Sequence, residues 1–183
     1  MRSSGLVATG TRFFGPLLTL VLIGCAKAPE MENMTDAAKK ARIEAMYEEY
    51  RAEFPGVREI DAAGLMALEK AGSVVVVDVR EPEERSISII PGSIDKAEFE
   101  RRLPELGDIP VVLHCTIGYR SGVYAGELRG RGIEAMNLKG SILAWAHAGG
   151  PVVDREGKAT RRVHVYGKQW ALLPEGWEAV YDR

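Results

Sequence analysis

Val111-Val-Leu-His-Cys-Thr-Ile-Gly-Tyr-Arg-Ser121 is the stretch that decides how this chain folds. Its opening residues are apolar at successive positions, with no alternation of polar and apolar, which is the pattern of a strand covered on both faces. Gly118 then permits a tight bend, and Ser121 to Arg131 reads as a helix. Upstream, Ser73-Val-Val-Val-Val-Asp-Val-Arg80 has the same two-sided apolar character. Ahead of both runs, Val57 to Ile60 reads as a short strand. Asp61 caps a helix through Leu65, Met66, Leu68 and Ala71, and Gly72 stops it. Downstream come a strand over Glu134 to Leu138 and a helix over Ser141 to Ala148. Strand and helix alternate throughout, so the expected fold class is α/β, a parallel sheet flanked by helices.

Outside this rhythm lie two ends. Thr35 or Asp36 can cap a helix whose apolar residues Ile43, Met46, Tyr47, Tyr50 and Phe54 recur at helical spacing, and Pro55-Gly56 ends it. The tail is expected to form a β-hairpin, with Val152-Val153 joined through the turn Asp154 to Gly157 to the alternating run Arg162 to Tyr166. Trp170, Leu172, Leu173 and Trp177 then give it apolar anchors on the domain. Both extensions could form a lid, a docking surface or padding around the core, and padding is the default reading. The boundaries that follow are 1–24 for a leader, 25–55 for a spacer and helix, 56–151 for the main domain and 152–183 for the extension.

The leader carries Arg2 and Arg12 ahead of the apolar stretch Phe13 to Ile23, a signal-peptide layout too short to span a bilayer as a helix. Leu22-Ile23-Gly24-Cys25 resembles the bacterial lipoprotein box, which implies lipidation of Cys25. The implied location is the bacterial cell envelope, on a membrane through the anchor at Cys25, facing the periplasm from the outer membrane. The 183 residues include 24 Lys+Arg against 26 Asp+Glu, and 46% are hydrophobic. That composition supports a packed core and disfavours disorder; without a basic run, no nucleic-acid partner is expected. The two cysteines, Cys25 and Cys115, are far apart in different kinds of sequence, so neither a disulfide framework nor a metal site is expected, and no cofactor.

Cys115 sits at the carboxyl end of a buried strand, where open α/β sheets bind ligands. A strand-to-helix turn there aims backbone N–H groups and the positive end of a helix at the sulfur, which favours thiolate over thiol. Arg120 is placed to hold an anionic substrate and Tyr119 to line the cleft mouth. Asp78 and Arg80, two apart on the neighbouring strand, either brace this loop or form a fold-holding ion pair. His114 points away from Cys115 and reads as a packed core residue; His147 and His164 read as structural. Gly122, Gly126 and Gly130 share one face of the following helix, as close packing against a neighbour would require.

Four segments together resemble the rhodanese-like sulfurtransferases: Asp78-Val-Arg-Glu-Pro-Glu-Glu84, Ile90-Pro-Gly-Ser-Ile94, Cys115-Thr-Ile-Gly-Tyr-Arg-Ser121 and Gly140-Ser-Ile-Leu-Ala-Trp145. They occur in family order. The resemblance implies a rhodanese-like fold in which Cys115 carries sulfur as a persulfide. The loop of Thr116, Ile117, Gly118, Tyr119, Arg120 and Ser121 would cradle the substrate. It implies a small sulfur anion such as thiosulfate as donor, and a thiol, cyanide or a protein as acceptor. A protein-to-protein persulfide relay without turnover of small donors is the alternative. Four residues separate Cys115 from Arg120, where phosphatases that share this fold have five, so a phosphatase or arsenate reductase ranks lower. Ile89 stands where most of the family has histidine.

Overall fold

The computed structural model describes residues 33–181. Cys25 and the leader 1–24 lie outside the described residues. A first helix, α1 (Asp36–Tyr50), starts where Thr35 accepts a hydrogen bond from the Ala38 N–H, and it buries Ile43, Met46 and Tyr47. The chain then alternates: β1 (Arg58–Ile60), α2 (Ala62–Lys70), β2 (Val75–Asp78), α3 (Pro82–Ile87), β3 (Ile94–Asp95), α4 (Lys96–Arg102), β4 (Val111–His114), α5 (Tyr119–Gly130), β5 (Met136–Leu138) and α6 (Ser141–His147). Asp61 caps α2 through the Gly64 N–H, as its place in the sequence predicts.

The five strands form one parallel sheet in the order β1-β5-β4-β2-β3, so β4 lies at its centre. Its two-sided apolar sequence follows from that position. Val76 and Val112 join Leu138 in a core under α1, α2 and α6. Val77, Val111 and Leu113 point the other way, into a second core with Phe99, Tyr124 and Leu128. Each fully covered aliphatic side chain of this kind contributes roughly 1.5–3 kcal/mol. Among the described residues no helix is long and apolar enough to cross a membrane.

The tail departs from the expected hairpin. Val152–Val153 (β6) does turn back through Asp154 to Gly157, but its antiparallel partner is Ala159–Thr160 (β7). Arg162–His164 (β8) pairs instead in parallel with Glu178–Val180 (β9). The alternation of Arg162 to Tyr166 is thus a true strand signal whose partner lies across a nonlocal loop. Leu172 and Leu173 are buried, and Trp170 and Trp177 pack partly buried against the core. The glycine face of α5 also needs correction. A Cβ at Gly122 would strike the Phe54 ring, Gly126 lies at ordinary contact distance, and Gly130 faces nothing within 4 Å. Close packing accounts for Gly122 alone.

Candidate active site

Cys115 follows β4 directly, and its side chain is buried. The Gly118 N–H donates to Sγ at 3.2 Å, Ser121 Oγ lies 3.5 Å from it and Ser141 Oγ 3.9 Å. Helix α5 begins one residue past Gly118, so its positive end adjoins the sulfur. Burial pushes the thiol pKa up. The Arg120 guanidinium, the Ser121 hydroxyl and the backbone N–H groups of Ser121 and Gly118 outweigh it, and the net displacement is downward. The site therefore shifts Cys115 toward thiolate relative to an ordinary cysteine. His114, fully buried on the strand, turns its Nε2 toward Asp78 Oδ2 at 3.7 Å, and its Nδ1 lies 3.4 Å from Cys115 O.

The loop is held by residues that the sequence reading did not single out. Asn137 donates from Nδ2 to Gly118 O at 2.8 Å and to Tyr47 Oη at 3.1 Å, while its Oδ1 accepts from Ser121 Oγ at 2.7 Å. Tyr47 in turn donates to Glu59 at 2.8 Å. Ser141 Oγ accepts the Cys115 N–H at 3.0 Å, and Ser141 holds φ of +48°, a strained value for a non-glycine residue. Gly118 has φ of +106°, and a Cβ there would come within 2.6 Å of the Tyr47 ring, so only glycine fits. A polar Asn in the middle of a buried three-residue strand was the one signal in the sequence for this network.

Arg120 is not free in the way a simple anion clamp requires. Its Nη1 meets Glu84 Oε2 at 2.6 Å, and its Nη2 meets Glu84 Oε1 at 2.8 Å and Thr116 Oγ1 at 3.1 Å. Glu84 is buried, and its Oε2 also accepts the Glu81 N–H at 3.0 Å, so the carboxylate is fixed by its own helix. Burial raises the Glu84 pKa, but Arg120 and the other donors overcome this and hold it below the usual range. The guanidinium acts on the Cys115 sulfur while a carboxylate offsets much of its charge. Arg120→Met is expected to shift the pH midpoint of Cys115 alkylation by iodoacetamide upward, because the variant loses the cation and exposes Sγ to Glu84. A midpoint that stays put would remove Arg120 from thiolate stabilisation.

Asp78 and Arg80 face elsewhere. They pair with each other at 2.7 Å, both fully buried, and Arg80 also donates to Ser88 O at 2.7 Å and reaches His164 O at 3.5 Å. Their hydrogen bonds thus join β2 to the segment before β3 and to the tail, the fold-holding alternative. His147 meets Leu172 O at 2.8 Å, and His164 Nδ1 accepts the Tyr166 N–H at 3.2 Å.

A pocket of about 350 Å³ opens over Sγ, lined by Cys115, Thr116, Ile117, Tyr119, Arg120, Tyr166 and Trp170. Tyr119 does line this mouth; its hydroxyl donates to Glu53 at 3.0 Å and its ring meets the Tyr50 ring at 5.4 Å. Tyr166 and Trp170 come from the tail, while Tyr47 of α1 supports the loop through Asn137. Neither extension is padding. A larger cavity, about 500 Å³, lies at the opposite end of the sheet around Arg58, Val111 and Met136, where the strands begin; no cysteine or histidine lines it.

The rhodanese-like domain family matches residues 61–148. A sulfurtransferase of Allochromatium vinosum is 35% identical over 106 residues, covering 55% of this chain and 99% of that protein. A tRNA sulfurtransferase of Desulfurococcus amylolyticus is 40% identical over 72 residues, which are 39% of this chain and 14% of that much longer protein. Among solved structures, a Rhodopseudomonas palustris protein of unknown function, described as a possible tyrosine phosphatase, is 29% identical over 61% of this chain and 93% of its own, with a TM-score of 0.49. Tyr47, Tyr166 and Trp170 all lie outside the family match.

Proposed function

The chain belongs to the rhodanese-like family, and from that premise we propose that it transfers a sulfane sulfur through a persulfide on Cys115. The observation that supports this most directly is a buried sulfur whose pKa is lowered by Arg120, Ser121 and the Gly118 N–H. With thiosulfate as donor, Sγ attacks the outer sulfur. The new bond joins Sγ to that sulfur, the old sulfur–sulfur bond breaks, and its electron pair leaves on sulfite. The persulfide is again an anion, so the same donors stabilise it. Cyanide or a thiolate then takes the outer sulfur, and the pair from the broken bond restores the Cys115 thiolate. No proton has to move in the thiosulfate and cyanide steps.

The Arg120–Glu84 pair weighs against phosphate chemistry. A phosphoryl group needs charge on its equatorial oxygens neutralised, and here both terminal nitrogens of Arg120 are already committed to a carboxylate. The test is the mass of the purified protein after brief exposure to thiosulfate, followed by cyanide and an assay for thiocyanate. Gain of one sulfur on the fragment containing Cys115, discharged by cyanide with turnover, is the expected result. Absence of loading from thiosulfate would overturn that donor; hydrolysis of an aryl phosphate by Cys115 would overturn the reaction class.

A further inference from the structure

The pocket above Cys115 differs in kind from a site built for a small inorganic anion. Its volume of about 350 Å³ falls in the range of roughly 300–1,000 Å³ typical of sites for small organic ligands. Thiosulfate, with five heavy atoms, leaves most of that space unfilled. The walls away from the sulfur are Ile117, Tyr119, Tyr166 and Trp170. The one cationic side chain in the lining, Arg120, is tied by two short hydrogen bonds to buried Glu84. Charge draws an anion to Sγ only weakly there, while flat apolar surface is abundant.

The aromatic wall is also set in place before any ligand arrives. Tyr166 adopts φ of +68°, an uncommon conformation for a bulky residue, and it is held there by its N–H on His164 Nδ1. Its ring meets Trp170 at 5.5 Å in an edge-on arrangement, and the Arg120 guanidinium lies 5.2 Å from its centroid. Behind it the tail is anchored by buried Leu172 and Leu173, by Lys39 on Leu173 O at 2.9 Å and by the Glu175 N–H on Asp36 at 2.9 Å. Yet Tyr166 remains 56% exposed, so its ring covers little of the protein's own core. A strained, anchored aromatic that lines the pocket at Cys115 and leaves more than half of its surface open is arranged for a ligand.

We infer that the tail selects organic sulfane-sulfur donors, R–S–SH and related R–SO2–S⁻ compounds, whose flat apolar R group packs among Tyr119, Tyr166 and Trp170 while the terminal sulfur meets Cys115; the inference rests on the sulfurtransferase reading. With R–S–SH, Sγ bonds to the terminal sulfur and the R–S to terminal-sulfur bond breaks. The electron pair leaves as R–S⁻, and the proton on the terminal sulfur stays with it. The outcome is the Cys115 persulfide and a free thiolate; with R–SO2–S⁻ the same attack breaks the bond between the two sulfurs, and the pair leaves on the sulfinate R–SO2⁻. Preorganised walls lower the cost of ordering such a ligand.

The test compares benzenethiosulfonate with methanethiosulfonate, which share charge and reacting group and differ only in R. The measure is the ratio of their kcat/KM values with cyanide as acceptor, divided by the ratio of their rates with a free thiol in solution. In the parent protein the corrected ratio is expected to favour the phenyl donor by about tenfold or more, and Tyr166→Asn to bring it toward one. Asparagine tolerates the left-handed backbone, so this variant removes the ring without adding strain. Trp170→Leu, which keeps an apolar anchor, is expected to lower the ratio too. A parent ratio near one, or a ratio unmoved by both variants, overturns the inference while leaving transfer intact. Transfer from neither of these donors nor thiosulfate overturns the sulfurtransferase reading itself.

Discussion

Cys115→Ser is expected to abolish sulfur uptake from thiosulfate and to drop thiocyanate formation by on the order of 10³-fold or more, to the solution background. The reason is chemical and not architectural. A serine hydroxyl is far from ionised in a site that lowers the Cys115 thiol pKa, and oxygen does not hold a transferable sulfur as a thiolate does. The smaller atom still fits the pocket and still accepts the Gly118 N–H, so the variant should keep its fold and near-parent stability. That combination of lost chemistry and kept structure is what the mass measurement and a thermal melt would read. Sulfur that still loads onto the variant would have to sit on Cys25, the other cysteine in the sequence, and fragment masses would locate it. Turnover persisting with sulfur on neither residue would refute a persulfide mechanism.

The parts of this site that were legible beforehand are those written in short-range pattern. The run Val111 to His114 is apolar on both faces because β4 is the middle strand, and a middle strand ending in Cys-x-x-Gly places a nucleophile at a helix start almost by itself. The paired Asp78 and Arg80 were visible for the same reason, being two apart where β2 ends. What escaped were contacts between distant elements. Glu84 stood as one acid among several in the segment Asp78 to Glu84, and nothing local marks it as the partner of Arg120, 36 positions on. The strand nature of Arg162 to Tyr166 was readable, but its pairing with Glu178–Val180 crosses a loop with Pro174 and Gly176 that hides the second strand. Tyr47 was correctly read as a core position of α1. That its hydroxyl continues through Asn137 to the catalytic loop depends on where α1 docks, which helical spacing does not encode.

Asp78→Ala is expected to cost about 3–5 kcal/mol of stability, because it strands the Arg80 guanidinium in a site with no exposure. In the parent, Arg80 donates from Nε and Nη2 to the carboxylate, and its remaining contacts are carbonyl oxygens at Ser88 and His164 that offset only part of a buried charge. Replacing both partners by apolar residues, Asp78→Leu with Arg80→Met, should return much of the loss, since no charge then remains to be buried. The pH dependence has a definite sign. Burial raises the Asp78 carboxyl, but His114 and Arg80 prevail and hold it at about 2, against an ordinary value of 3.8. The group therefore stabilises the fold fully above 3.8, and that share is lost as pH falls toward 2. His114 adds a separate limb: burial depresses its pKa below 6.5, so stability also declines as pH falls below that value and the unfolded chain takes up the proton. Urea midpoints across this range should show the lower limb vanish in Asp78→Ala and the upper one persist. If the variant lies within about 1 kcal/mol of the parent, the buried pair is not what ties β2 to the tail. If, at matched folded fraction, its Cys115 alkylates more slowly than the parent's, the pair reaches the loop as well as the fold.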